Sequence, residues 1–250
     1  MTTASDTVIL MEHVHKTFLV RNRPTRTIRE NVLNLFRRNT ARRLHALKDI
    51  NLDIKKGEFI GVIGRNGSGK STLLQVMSGA YLPDPGGRVS LHGRATRLVL
   101  GMGFNNELTC RQNVYINASV MGLTLKRIGL VFWDIIQFAE LADYVDTPIK
   151  FLSSGMRARL QFSVALYAQA DIFFFDEFFV AGGVGDRDFR MKCEGVFEKR
   201  LIMEKTVVLV THSMDLVRQF SDRAIFMSDG AIQVIGTPDE VIAAYEGSNP

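Results

Sequence analysis

Cysteine is scarce in this chain of 250 residues, which contains only Cys110 and Cys193. The two lie far apart in the sequence, with no CxxC pair and no cluster of histidines beside them. This pattern excludes a small scaffold held by disulfides and gives no support to a zinc site of cysteine and histidine. We expect both thiols to be reduced, as in a cytosolic protein.

Long hydrophobic runs are also missing. The richest stretch, DIFFFDEFFVAGG (171–183), is interrupted by acidic residues and is too short to span a bilayer. The opening residues MTTASDTVIL have no basic segment leading into a long apolar run, so no secretory signal is expected. If the protein works at a membrane, the sequence predicts that it does so as a peripheral subunit.

Positive charge is unevenly distributed. Hydrophobic residues make up 46% of the chain and charged residues 23%, an ordinary globular balance, and the net charge is +5. Much of the excess lies in RNRPTRTIRENVLNLFRRNTARRL (21–44), where Glu30 is the single acid. We call this segment the arm. Its composition points to a polyanion or an acidic lipid surface, but a nucleic-acid arm, a membrane-surface helix and a solvated charged face all remain open.

Strand patterns and helix patterns alternate along the chain. Alternating apolar residues or short apolar runs predict strands at 8–18, 46–54, 58–64, 171–177 and 205–213, and a hairpin at 223–236 around Asp229-Gly230. Helical spacing predicts helices at 70–81, 125–145, 155–170 and 237–245. This alternation is typical of an α/β fold with a largely parallel core sheet.

A phosphate-binding pattern follows the strand predicted at 58–64. GRNGSGKST (64–72) matches G-x-x-x-x-G-K-[ST], with the strand before and the helix after that the pattern requires. Its glycines let backbone N–H groups approach a phosphate chain, and the next helix points its positive end at the same anion. Lys70 is expected to reach the β- and γ-phosphates, and Ser71 to bind Mg²⁺. The predicted nucleotide-binding residues are Gly64, Arg65, Asn66, Gly67, Ser68, Gly69, Lys70, Ser71 and Thr72.

A second strand end supplies two carboxylates. The apolar run IFFF ends in Asp176, and Glu177 follows it. We expect Asp176 to serve the Mg²⁺ ion together with Ser71, and Glu177 to polarise the attacking water. An acid after a strand is common by itself, so this prediction depends on the phosphate-binding pattern upstream.

The segment FLSSGMRARLQFSVAL (151–166) carries a resemblance to a known family. Its residues 152–156, LSSGM, resemble the LSGGQ signature of ATP-binding-cassette (ABC) proteins. The phosphate-binding loop, the Asp176-Glu177 pair and VTHS (210–213) stand in the order that this family shows. The resemblance implies an ABC-type P-loop NTPase in one domain, 1–250. That fold has a largely parallel core sheet, an N-terminal antiparallel β region and a helical subdomain at about 105–165.

The same resemblance implies further roles. Cassettes of this family act as head-to-tail homodimers, so the signature residues Ser153, Ser154 and Gly155 of one copy would face the γ-phosphate held by the other. His212 resembles the switch histidine at the γ-phosphate, although a histidine at a strand end is often structural. Phe18 resembles the aromatic that stacks on adenine, although it would also suit the core. Glu177, His212 and Lys70 then form the catalytic set, with ATP and Mg²⁺ bound.

A narrower resemblance concerns the transported substrate. LGMGFNNELTCRQNVYINASVMGL (100–123), GDRDFRMKC (185–193) and the long arm look like features of cassettes that export O-antigen, capsule or teichoic acid. They imply an ATPase subunit that powers export of a lipid-linked polysaccharide, paired with two copies of a separate permease chain at the cytoplasmic face of the cell membrane. Some such proteins continue into a carbohydrate-binding domain, and we expect none within 1–250.

Two segments depart from the family pattern. LGMGFNN (100–106) lacks the glutamine that most cassettes carry there, so Asn105 or Asn106 is a candidate to replace it. Gln112 is instead expected in the capping region of a helix. DEFFVAGGVGD (176–186) is longer than the usual link, which leaves Asp186 either as an acid that crosses the dimer or as a solvated turn residue.

The resemblance also changes the interpretation of the arm. From Ile28 onward its apolar residues fall at helical spacing, which predicts a basic amphipathic insertion. In a polysaccharide exporter it would contact anionic lipid, the membrane subunits or a lipid pyrophosphate, and no nucleic acid is expected. The competing functions are a cassette for another substrate and a soluble nucleic-acid-associated cassette. A P-loop kinase or GTPase outside this family does not fit the signature at 152–156.

Overall fold

A computed structural model of the protein describes residues 6–20, 42–98, 103–167, 169–176, 189, 192, 195 and 205–248. The strands in this part of the chain are β1 (Thr7–Val20), β2 (Arg42–Lys55), β3 (Phe59–Gly64), β4 (Arg88–Leu91), β5 (Ala95–Leu98), β6 (Ile172–Asp176), β7 (Thr206–Val210), β8 (Arg223–Ser228) and β9 (Ala231–Gly236). The α-helices are α1 (Lys70–Met77), α2 (Cys110–Val120), α3 (Leu125–Phe138), α4 (Ser154–Ala165), α5 (Met214–Phe220) and α6 (Pro238–Gly247). Short 3-10 turns occupy Ala142–Tyr144 and Ile149–Phe151.

The strands form two sheets. In the first, β1 pairs antiparallel with β2 on one side and with β4 on the other. The second has the order β5-β6-β7-β3-β8-β9, and every neighbouring pair in it is parallel except β8 and β9. The predicted α/β class, with a largely parallel core and an antiparallel N-terminal region, is confirmed.

The central strands β3, β6 and β7 are almost entirely apolar and buried, as expected of a parallel sheet with both faces covered. Along β6, Phe174 faces a buried cluster that includes Leu73 and Leu74 of α1. Its neighbours Phe173 and Phe175 face the opposite cluster, which includes residues of α4 and α5. The period-2 alternation of strand side chains between two buried faces therefore explains why three consecutive residues here are apolar.

Helices α2, α3 and α4 pack against one another around a third buried cluster. Cys110 begins α2 inside it, and burial raises the pKa of its thiol to about 11. The thiol is therefore protonated at neutral pH and behaves as a small apolar side chain. Gln112 completes a capping box with Thr109 at the start of α2, as the sequence predicted. Cys193 lies outside the described residues.

The strand ends differ from the sequence predictions by a few residues, most of all at the start of β2, and two strands were not predicted. β2 begins at Arg42, so the last residues of the arm belong to a strand in which Arg42, Arg43 and Leu44 pair with Val20, Leu19 and Phe18. The extended ladder gives these backbone groups partners that a separate insertion would lack. β4 and β5 were not predicted, because four residues carry too little periodicity. Residues 21–41 of the arm lie outside the described part of the chain.

Two buried asparagines fasten the loop at 103–109 to α2. The Nδ2 of Asn113 donates to the carbonyls of Asn105, Leu108 and Thr109 at 3.0, 3.1 and 3.0 Å, and its Oδ1 accepts from the Asn105 N–H at 2.8 Å. The Nδ2 of Asn117 donates to the Gly103 carbonyl at 3.2 Å. The loop where the family glutamine is missing is therefore held to α2 by asparagine side chains that bond to its backbone.

We predict that Asn113→Ala lowers the free energy of unfolding by about 2–3 kcal/mol, because it leaves several buried polar groups without partners. Chemical denaturation monitored by circular dichroism measures the change. Ser119→Ala on the exposed face of the same helix is the control and should stay within about 0.5 kcal/mol of the unaltered protein. Equal losses in the two variants would contradict the structural role of Asn113.

Candidate functional site

Three strand ends meet at one edge of the parallel sheet. Val62 of β3 pairs with Val210 of β7, and Val210 also pairs with Asp176 of β6. The loop 64–69 leaves β3 at this edge, Asp176 ends β6, and the turn 211–213 leaves β7. In open α/β sheets, ligands bind beyond the carboxyl ends of the strands, so this edge is the expected place for a site.

A cavity of about 450 Å³ opens beside the loop 64–69, within the usual size range of small-molecule sites. One wall is the phosphate-binding loop with the first turn of α1. The other walls come from the end of the β1–β2 ladder and from the tip of the β8–β9 hairpin. The lining residues are Phe18, Leu44, His45, Ala46, Lys48, Asn66, Gly67, Gly69, Lys70, Ser71, Thr72, Asp229 and Gly230.

The phosphate-binding loop has the left-handed turns that its glycines permit. Gly67 has φ 80° and Gly69 has φ 104°. Lys70 is only 5% exposed, and its Nζ donates to the carbonyls of Gly64 at 2.8 Å and Arg65 at 2.9 Å. The loop therefore surrounds the ammonium group of its own Lys70. Gly69 offers no side chain to cap α1, and the N-terminus of a helix attracts anions through its backbone N–H groups.

Ser71 and Asp176 come together from distant parts of the sequence. The Ser71 hydroxyl donates to Oδ1 of Asp176 at 3.2 Å. A hydroxyl and a carboxylate beside a phosphate site are the oxygen ligands that Mg²⁺ prefers, so the residues present fit this ion. Within the described residues, no group of three or more His, Cys, Asp and Glu side chains could hold a metal by itself.

His212 lies at the same edge. The N–H of Thr211, the residue before it, donates to the Val62 carbonyl at 3.2 Å. Ser213, the residue after it, caps α5 through Leu216. The histidine is thus held in a turn between a central strand and a helix. Glu177 directly follows Asp176 in sequence, but Glu177 and Asp186 both lie outside the described residues.

The predicted signature begins α4. Ser153 is the N-cap of this helix and its side chain accepts a hydrogen bond from the Met156 N–H at 3.1 Å. Ser153 and Ser154 are exposed, and Gly155 is partly exposed. Among the described residues that line the cavity, none belongs to 153–155. The structure therefore does not bring the signature to the phosphate-binding loop of the same chain.

Sequence reasoning missed the wall opposite the phosphate-binding loop. The Gly230 N–H donates to the Ser68 carbonyl at 2.9 Å, and the Gly230 carbonyl accepts from the Lys48 N–H at 2.8 Å. The Asp229-Gly230 dipeptide correctly indicated a turn, but no sequence signal showed that the turn lies against this loop. No sequence signal placed Leu44, His45 or Lys48 at this wall either.

Of the two asparagines considered as glutamine replacements, Asn105 already accepts the Glu107 N–H through its side-chain oxygen at 3.0 Å.

Comparison with known proteins agrees with this geometry. Residues 47–180, more than half of the chain, match the family model for ABC transporters. The chain belongs to the ABC transporter family. The resemblance inferred from the phosphate-binding loop (the P-loop, 64–72) and the signature is therefore confirmed.

Named relatives cover most of this cassette. The chain is 40% identical over 201 residues to the O-antigen export system ATP-binding protein RfbB of Myxococcus xanthus, covering 80% of this chain and 45% of that protein. It is 38% identical over 201 residues to the teichoic acids export ATP-binding protein TagH of Lactococcus lactis, covering 80% and 42%. The RfbB protein of Klebsiella pneumoniae is 38% identical, with 82% of each chain covered. The chain thus spans less than half the length of the first two relatives.

Solved structures support the cassette fold. A dimeric ATP-binding cassette in a post-hydrolysis state with ADP and Pi superposes with a TM-score of 0.72 at 22% identity, covering 92% of this chain and 98% of that one. CbiO1 of Clostridium perfringens superposes with a TM-score of 0.67 at 23% identity, covering 97% and 93%. Across the described residues, no helix has both the length and the apolar character needed to cross a membrane.

The two glycines of the cassette's P-loop allow a matched test of its packing. A Cβ at Gly69 would lie 2.6 Å from the Ala46 carbonyl oxygen, whereas a Cβ at Gly67 would meet nothing within 4 Å. Both positions carry a positive φ, which costs an alanine about 1–2 kcal/mol. We therefore predict that Gly69→Ala lowers the melting temperature of the nucleotide-free protein clearly more than Gly67→Ala does. Equal shifts in thermal unfolding would contradict the close contact with Ala46.

Proposed function

We propose that this cassette is the ATP-hydrolysing subunit of an exporter that moves a lipid-linked cell-surface polysaccharide across the cytoplasmic membrane. The observation that supports the ATPase part is the hydrogen bond from Ser71, which follows Lys70 at the start of α1, to Asp176 at the end of β6. The export part rests on the names of the relatives, which are ATP-binding proteins of O-antigen and teichoic acid export.

Catalysis in this proposal is positioning and charge stabilisation. The triphosphate lies in the loop 64–69, where the Lys70 ammonium leaves the Gly64 and Arg65 carbonyls for the β- and γ-phosphates. Ser71 and Asp176 would hold a Mg²⁺ ion, which would offset the negative charge of the phosphates. Glu177 orients the attacking water, and His212 donates a hydrogen bond to the γ-phosphate from the end of β7.

Two copies of the chain are needed to complete the site. The exposed N-terminus of α4 carries Ser153 and Ser154, and a helix N-terminus attracts anions through its unpaired N–H groups and its dipole. In a head-to-tail dimer these residues reach the γ-phosphate bound by the other copy, and Asp186 crosses the same interface. ATP binding then joins the two copies, and hydrolysis separates them.

The dimer is proposed to pull on two copies of a separate permease chain. Because the named relatives are ATP-binding components of export systems, we infer a peripheral position at the cytoplasmic face of the membrane. Phe18, at the wall of the cavity, stacks on the adenine in this proposal. The transported glycan is carried on a lipid and enters the permease near the arm.

We predict that Glu177→Gln lowers ATP turnover by at least about 100-fold, because the water loses its general base. The same variant keeps its P-loop and should still form an ATP-dependent dimer. Phosphate release and size-exclusion chromatography with light scattering measure the two properties.

Lys70→Ala is the control for this experiment, and it should lose the ATP-dependent dimer as well as turnover. Unchanged turnover in Glu177→Gln would show that another group activates the water. Loss of dimerisation in Glu177→Gln alone would place this residue in nucleotide binding instead.

For the arm we propose contact with anionic lipid. Each arginine near such a surface contributes about 1 kcal/mol. The double change Arg37→Ala and Arg38→Ala should therefore weaken binding to phosphatidylglycerol vesicles by about tenfold or more at low salt, and should spare basal ATP hydrolysis. Vesicle sedimentation measures the binding.

The matched control changes Lys126 and Arg127, an adjacent exposed pair on α3, and should bind the vesicles normally. Equal weakening in both double variants would contradict a specific role of the arm.

A further inference from the structure

The ring of Phe18 is held by two neighbours that lie outside the P-loop. Tyr81 packs against it in a T-shaped arrangement, with ring centroids 5.4 Å apart and planes at 69°. The ammonium of Lys16 lies 5.6 Å from the centroid of Phe18 and 5.8 Å from that of Tyr81. Edge-to-face aromatic pairs and cations over rings are both attractive, so the three side chains form a stable group.

Tyr81 is fixed to the helix that binds the phosphates. Its N–H donates to the Gln75 carbonyl at 3.1 Å, which ties it to the last turns of α1. The first turn of the same helix begins with Lys70 and Ser71. A single short helix therefore relates the position of the Tyr81 ring to the position of the phosphate site.

Lys16 closes the group from the side of β1. Its side chain is 18% exposed, and its Nζ donates to the Leu82 carbonyl at 2.7 Å and lies 4.0 Å from the Asp84 carboxylate. The Asp84 N–H donates to the His15 carbonyl at 2.9 Å. The segment 81–84 is thus joined to the strand that carries Phe18 by both side-chain and backbone bonds.

Core packing does not account for this group. Tyr81 is 39% exposed and Leu82 is 77% exposed. Phe18 itself is only partly buried, and Leu44, its partner across the ladder, is 50% exposed, so burial alone does not fix the ring. The contacts with Tyr81 and Lys16 are the described interactions that orient the ring at the cavity wall.

We propose that Tyr81 and Lys16 are positioning residues that hold the Phe18 ring in the orientation needed to stack on the nucleotide base. A ring that is already ordered loses less entropy when the base binds, so the pair increases affinity without touching the ligand. The proposal rests on the function proposed above for Phe18 and the P-loop. It assigns the loop after α1 to recognition of the base, while the start of α1 serves the phosphates.

The experiment compares two ligands that share phosphates but not the base. The equilibrium binding of ATP and of inorganic tripolyphosphate, each with Mg²⁺, is measured by isothermal titration calorimetry. Tyr81→Ala should weaken ATP binding about three- to tenfold, the range of an aromatic pair, and leave tripolyphosphate binding unchanged. Tyr81→Phe keeps the ring, so its ATP affinity should equal that of the unaltered protein. Lys16→Met keeps the apolar stem and should weaken ATP binding about two- to fivefold.

Leu82→Ala is the matched control in the same segment. It removes an exposed side chain but keeps the carbonyl that holds Lys16, so its ATP affinity should equal that of the unaltered protein. Equal weakening of ATP and tripolyphosphate in Tyr81→Ala would overturn the proposal, because it would show general damage to α1. Failure of Tyr81→Phe to restore ATP binding would also overturn it.

Phe18→Ala and Lys70→Ala separate this proposal from the proposed function. If Phe18→Ala weakens ATP binding and Tyr81→Ala does not, only the positioning role fails. If Lys70→Ala weakens ATP binding and Phe18→Ala does not, Phe18 is not a base ligand and the positioning role fails with it. If neither Phe18→Ala nor Lys70→Ala changes ATP binding, the nucleotide site itself is wrong.

Discussion

Three backbone segments meet at the carbonyl oxygen of Ala46, and the rest of the site depends on this contact. A Cβ at Gly69 would lie 2.6 Å from that oxygen and a Cβ at Gly230 2.8 Å from it, so the two approaches require glycine. Gly230 also bonds to Ser68 and to Lys48 through its backbone. The contact joins the antiparallel sheet to the parallel sheet at the P-loop, and thereby creates a cavity that neither sheet forms alone. Phe18 reaches the wall of this cavity because β1 and β2 are held there.

The segment that resembles the family signature lies away from the cavity of its own chain. The Lys70 ammonium and the Ser71–Asp176 pair lie at the start of α1 and the end of β6. The signature serines lie on the exposed start of α4, which belongs to the packed group of α2, α3 and α4. The backbone of 106–110 bonds to that of 147–150, just before the signature, and Asn113 holds the same loop from the other side. Hydrogen bonds therefore connect the loop at 103–109 to the segment that leads into Ser153.

Much of the fold and of the site followed from local patterns. The buried runs of β3, β6 and β7, the turn at Asp229-Gly230 and the capping role of Gln112 each depend on residues within a few positions of one another. The P-loop is of the same kind, since its glycines, lysine and serine are consecutive. β4, β5 and the extension of β2 to Arg42 were missed because partners far away in sequence stabilise them. The wall formed by Leu44, His45, Lys48 and Gly230 was missed for the same reason.

The sequence by itself determined the family, the phosphate-binding loop and the carboxylate that accompanies it, because spacing along a strand, a turn and a helix dictates that chemistry locally. The tertiary structure decided which distant groups share the cavity, where Tyr81 and Lys16 meet Phe18, and that the signature does not reach the P-loop of its own chain. These features arise from the order of the strands and the packing of two sheets. Contacts between segments far apart in the chain set that order, and no local pattern records them.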